Sequence, residues 1–337
     1  MSVMNVRRLI PTATIAGAVA LGLVALSACS SSDASGGAGS DGKLAVTASF
    51  YPMQFLAQQI GGDHVSVTTL TKPGVEPHDL ELKPRQTAQL GEADLIVYLK
   101  GIQPAVDEAI AQSGVENTVD AASLTKLEKH GTEVGHAHEG HAHEGDEHGH
   151  EGETGGGDEA SGLNGADPHI WLDPVKYAEV AKGVGASLSE ADPDHAATYK
   201  KNTAALVKKL DALNSEFRQG LADTGTKTFI TTHAAFGYLA ERYGLEQEAI
   251  AGIDPEAEPS PARVKELETI AKRDKVSTVF FETLASDKTA KTLAGDSGLT
   301  TDVLDPLEGI TDKSKGDDYL QVMRSNLTAL QKALGAK

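Results

Sequence analysis

Short apolar runs alternate with longer amphipathic stretches along most of this chain. Leu44 to Phe50, Val65 to Leu70 and Leu95 to Leu99 are apolar runs of strand length. Between and after them, Met53 to Ile60, Pro84 to Gly91 and Pro104 to Gln112 read as helices, and the last two open on a proline, which suits a first helical turn. The order is βαβα, as expected of a mostly parallel sheet covered by helices. The style returns further on, with strands at Thr228 to Thr232 and Thr278 to Phe281 and a helix that Ser260 caps and Pro261 begins. The expected fold class is α/β, as two lobes with a central sheet each.

A helical region from Pro174 to about Leu221, interrupted at Asp192-Pro193, lies between the two halves. In its second part Leu206, Leu210, Leu213 and Phe217 recur at spacings of four, three and four, one apolar stripe on a helix of roughly 42 Å. A helix of that length runs along both lobes, joins them stiffly and disfavours wide hinge closure. The expected organisation is a first lobe over 44–173, a linking region over 174–222 with its long helix at 193–221, and a second lobe over 223–337.

The N-terminus adds a destination. Arg7 and Arg8 precede an apolar, small-residue stretch from Leu9 to Leu26, the charge-then-apolar order of a secretory signal. Its end, Leu26-Ser27-Ala28-Cys29, resembles a bacterial lipobox, which implies removal of residues 1–28 and a lipid on Cys29. Cys29 is the sole cysteine, so no internal disulfide forms. Residues 29–43, the cysteine and a Ser/Gly/Asp run, read as a flexible tether. The formal charge of -19 becomes -21 once Arg7 and Arg8 are removed, an acidity that argues against nucleic acid but suits cations.

Histidine changes the picture most. Six of the twelve, His136, His138, His141, His143, His148 and His150, fall within fifteen residues among glycines and carboxylates. With no large apolar residue the tract cannot bury enough surface to order itself, so the segment 130–160 is expected as a disordered, metal-capturing loop. Three isolated histidines sit instead at turns or strand ends. His78 follows the strand ending near Leu70, His169 lies between Pro168 and Pro174, and His233 follows the strand ending at Thr232. Ligands of α/β sheets bind beyond the carboxyl ends of strands. Spacing alone leaves open whether the three meet or are separate structural and surface histidines.

Gly74-Val75-Glu76-Pro77-His78-Asp79, Asp167-Pro168-His169-Ile170-Trp171-Leu172-Asp173-Pro174 and Thr232-His233-Ala234-Ala235-Phe236-Gly237-Tyr238 resemble the three metal-ligand motifs of the zinc-uptake solute-binding lipoproteins of bacterial ABC transporters. The match keeps their order from Leu44 to the end and takes in the His-rich loop and Leu304-Asp305-Pro306-Leu307-Glu308-Gly309. The resemblance implies two lobes joined by one rigid helix, Zn2+ held in the cleft by His78, His169 and His233, and a monomer that hands the ion to ABC permease subunits. It implies a place on the outer face of the cell membrane, anchored through Cys29. For a fourth ligand it points to Glu308, with Asp305 as competitor.

Manganese-type relatives place a glutamate where this chain has His233, and three imidazoles with one carboxylate suit zinc better than manganese. A surface adhesin or zinc buffer is a rival reading. A secreted zinc hydrolase, with Glu76 as general base, is a weaker one because no His-Glu-x-x-His or Gly-x-Ser-x-Gly motif occurs. A binding protein, not an enzyme, is the expectation.

Overall fold

The computed structural model describes residues 42–130, 163 and 165–337. The first lobe runs β1 (Leu44–Ala48), α1 (Tyr51–Gly61), β2 (Val65–Thr69), α2 (Pro84–Leu90), β3 (Leu95–Tyr98), α3 (Pro104–Ser113) and β4 (Thr118–Asp120). Its strands are all parallel in the order β2-β1-β3-β4, with Leu44 beside Val65, Val46 beside Leu95 and Ile96 beside Thr118. Parallel pairing puts every strand's carboxyl end on one edge, and the loops after β1, β2 and β3 gather there.

The second lobe repeats the plan as β5 (Thr228–Thr231), α6 (Gly237–Tyr243), β6 (Glu246–Ala249), α7 (Pro261–Arg273), β7 (Thr278–Phe281), α8 (Lys288–Ser297) and β8 (Thr300–Val303), closed by α9 (Tyr319–Leu334). Its sheet is again parallel, in the order β6-β5-β7-β8. The edge strands β4, β6 and β8 were not expected. β6 reads Glu-Gln-Glu-Ala and β8 Thr-Thr-Asp-Val, so neither carries the apolar run that marks a strand buried on both faces. Ser260 Oγ accepts from Arg263 N at 3.1 Å, so α7 opens as the sequence suggests.

Between the lobes stand α4 (Pro174–Ala191) and, after a 3-10 turn at Pro193–His195, α5 (Ala196–Gly220). Asp173 caps α4 by accepting from Val175 N at 2.9 Å, and Arg242 of the second lobe clamps the same carboxylate at 2.6 Å. Leu206, Leu210, Leu213 and Phe217 of α5 are all buried. The helix lies against α1 and α4 and, further along, against α9. Asn202 donates to Ile60 O at 2.9 Å near one end, and Gln331 donates to Gly220 O at 3.2 Å at the other.

The lobes also share side chains directly. Tyr319 of α9 donates to Trp171 O at 2.6 Å and packs on Tyr177, ring centroids 4.6 Å apart, while Trp171 Nε1 donates to Pro306 O at 2.7 Å. One continuous apolar cluster runs from Val46 in β1 to Leu334 at the end of α9. None of the described helices is long and apolar enough to cross a membrane. Arg7 to Leu26, Cys29 and the tract from His136 to His150 lie outside the described residues.

Candidate metal centre

His78, His169 and His233, 91 and 64 positions apart in sequence, converge with Glu308. His78 stands in the irregular segment between β2 and α2, and its backbone N–H donates to Glu76 Oε2 at 2.9 Å. His169 precedes a 3-10 turn at Ile170–Leu172, and its backbone N–H donates to Asp167 Oδ1 at 2.9 Å. His233 follows β5, where Thr231 Oγ1 donates to its carbonyl at 2.7 Å. Glu308 follows β8 in a loop bent at Leu307, whose φ of 59° is a strained choice for a residue with a Cβ.

Glu308 Oε1 lies 3.3 Å from His78 Nε2, 3.3 Å from His169 Nε2 and 3.4 Å from His233 Nε2. His169, His233 and Glu308 are fully buried and the His78 side chain is 10% exposed. Nε2 of His169, Nε2 of His233 and Oε2 of Glu308 are buried without a hydrogen-bond partner among the described residues. Buried polar atoms of that kind are costly unless something pairs with them. Four ligands held tetrahedrally at about 2.0–2.1 Å from a zinc ion sit about 3.3 Å from one another, the spacing seen here between oxygen and nitrogens.

Asp305 is placed otherwise. Its Oδ1 accepts from Leu307 N at 2.9 Å, its Oδ2 from Thr283 at 3.2 Å, and its own backbone is tied to the buried Asn326. It shapes the bend that aims Glu308 and does not join the cluster.

Two carboxylates that sequence reasoning did not single out complete the arrangement. Asp167 Oδ1 lies 2.7 Å from His169 Nδ1, and Glu282 Oε1 lies 2.8 Å from His233 Nδ1. A carboxylate on Nδ1 fixes the tautomer and leaves Nε2 to ligate. Glu282 directly follows β7, so the same strand-end rule that picked out His233 could have found it.

The electrostatics are those of tightly coupled opposites. Burial works to raise the Glu308 carboxyl, but the His78 charge and the His169 and His233 side chains outweigh it and hold it well below the usual range. Burial likewise works to lower His169 and His233, and is outweighed by Asp167 and Glu308 for the first and by Glu282 and Glu308 for the second, so both are raised. Glu76 is pushed up to about 9 by burial and by the Glu308 charge. The segment expected as disordered from residue 130 begins with a packed residue, since His130 lies 3.2 Å from Asp167 and 3.0 Å from Glu241.

Fold and cluster together define a class, the two-lobe α/β binding proteins whose helix-joined halves enclose a metal-ligating cluster. The family model of the zinc-uptake complex component A, periplasmic (ZnuA), matches residues 46–333, and the chain belongs to that family. It is 37% identical over 319 residues to the high-affinity zinc uptake system protein ZnuA of Bacillus subtilis, covering 93% of this chain and 94% of that protein. It is 36% identical to the zinc-binding lipoprotein AdcA of Streptococcus pneumoniae over 86% of this chain, and spans only 56% of that longer relative. The Zn(II)-bound ZnuA-like domain of AdcA superposes with a TM-score of 0.68 at 34% identity, over 87% of this chain and 99% of the domain. The laminin-binding protein Lmb of Streptococcus agalactiae, described as having adhesin and metal transporting activity, superposes with a TM-score of 0.71 at 30% identity, over 86% of this chain and 99% of that one.

Proposed function

We propose that this protein captures Zn2+ outside the cytoplasm with His78, His169, His233 and Glu308 and delivers it to the permease of an ABC transporter. The observation that carries the reading is the meeting of three imidazole Nε2 atoms on one carboxylate oxygen at 3.3, 3.3 and 3.4 Å. Three nitrogens and one oxygen favour a four-coordinate borderline ion over manganese, which prefers more oxygen. The zinc named for the Bacillus and Streptococcus relatives supports the same choice.

Four protein ligands close the coordination shell, so no position remains for a metal-bound water, and the role is binding and not hydrolysis. Cys29 is the proposed lipid anchor on the outer face of the membrane, and the histidine tract from His136 to His150 is the proposed low-affinity collector. Calorimetric zinc titration of the three His→Ala variants is the direct test. Each is expected to lose at least two orders of magnitude in affinity while keeping its circular dichroism. Undiminished tight binding by any one would remove that residue from the ligand set.

A further inference from the structure

His130 is held as the two cleft histidines His169 and His233 are held, and it belongs to neither lobe's part of the cleft cluster. Its Nδ1 lies 3.2 Å from Asp167 Oδ2 and its Nε2 lies 3.0 Å from Glu241 Oε2 on α6. The ring meets Tyr238 edge-on with centroids 4.5 Å apart. It seats over Gly237, where any side chain would overlap the Cβ and Cγ of His130 and press on Asp167 Oδ2. Only a glycine leaves that notch open.

Glu128, two residues earlier, supplies a second carboxylate on a fixed backbone. Its N–H donates to Tyr238 OH at 2.8 Å and its carbonyl accepts from Asp167 N at 2.8 Å. One ligand atom each from Glu128, His130 and Glu241 lies within 4.8 Å of the others. Glu128 Oε1 also faces Lys126 at 3.3 Å and Lys176 at 3.8 Å. The Lys126 side chain is 82% exposed, so its pairing is cheaply given up, and Lys176 keeps its bond to Lys126 O at 2.6 Å.

We propose that Glu128, His130 and Glu241 form a second divalent-cation site, half open to solvent, with His130 Nε2 as its nitrogen ligand. Asp167 then serves two histidines at once, Oδ1 orienting His169 and Oδ2 orienting His130, both through Nδ1. One imidazole with two carboxylates accepts zinc and its borderline neighbours, and water fills the remaining positions. Fewer protein ligands and greater exposure make this site weaker than the four-ligand cluster.

The test uses the full mature chain with the six tract histidines changed to alanine, which removes their background, and Zn2+ alone as probe. Two equivalents of unequal affinity are expected by calorimetry. Glu241→Gln, a conservative change at a side chain 55% exposed, keeps the fold and is expected to weaken the second equivalent at least tenfold with the first unchanged. His130→Ala should do the same. His233→Ala should abolish the first equivalent and leave the second, so failure of the cleft assignment and failure of this one give different patterns. A single equivalent in the parent, or a second equivalent indifferent to both Glu241→Gln and His130→Ala, would overturn the proposal.

Discussion

Glu308 and Asp305 stand three positions apart on one loop and act in different ways. Glu308 aims a carboxylate at three imidazoles, whereas Asp305 spends both oxygens holding the loop's shape. Glu308→Ala should therefore weaken zinc binding directly, by about a hundredfold or more in chelator competition. Asp305→Ala should act through the fold, with a loss of about 1–3 kcal/mol in denaturant stability from the unpaired Leu307 N–H and a smaller effect on zinc. Equal zinc losses in the two variants would mean that Asp305 ligates as well. A different residue sets a pH dependence. Burial pushes the Asp107 carboxyl up to about 6, above the ordinary value of 3.8. A raised acid costs stability where the folded state must carry its charge, so that cost is in force above about pH 6 and fades as pH falls toward about 4. Asp107→Asn should raise stability at pH 7 relative to pH 4, measured as the difference in urea midpoints. A variant that follows the parent at both pH values would show that burial there is not felt.

At the scale of the elements, α5 was legible because its stripe of Leu206, Leu210, Leu213 and Phe217 is long, periodic and buried along its length. The start was harder to see. The expected helix begins at 193, but Pro193–His195 form a 3-10 turn and the α-helix begins at Ala196. The same logic separates the central strands, apolar enough to read, from β6 and β8, which need only one buried edge and carry polar side chains. Proximity is a different kind of fact. That His78, His169 and His233 share a position in space follows from two sheets and a packed helix region, which no local pattern encodes, and the pairing of Asp167 with His169 and of Glu282 with His233 emerges only with it. The contact of α4 with α5 depends on Gly185, where a methyl group would overlap Thr203 Oγ1. Gly185→Ala should destabilise the protein by about 1–3 kcal/mol through that overpacking, despite the higher helix propensity of alanine. A urea midpoint at or above the parent's would mean that the helices yield without strain.

Across the whole molecule, the largest apolar cluster threads both lobes, while each sheet keeps a smaller cluster of its own, around Ile96 in the first lobe and around Ile230 and Val279 in the second, so most of the buried apolar surface is shared. The expected consequence is a single unfolding transition. Trp171, the only tryptophan, is tied to Pro306 and Tyr319 of the other lobe, so its fluorescence reports the junction, while far-ultraviolet circular dichroism reports the helices everywhere. The two curves should coincide in urea, and a fluorescence change that runs ahead of the dichroism would mean that the lobes part first. The same shared core bears on how long an ion stays. Halves tied by a shared core resist swinging apart, so escape of an ion is expected to begin with the breaking of individual bonds at the cage wall. That wall is thinnest at His78, the one imidazole of the three that reaches solvent, borne on a segment without regular structure whose residues 72–75 are exposed. On the proposed function, residence time then becomes a property of one short stretch of chain, and a permease that took hold of that stretch would have the ion's dwell time under its control.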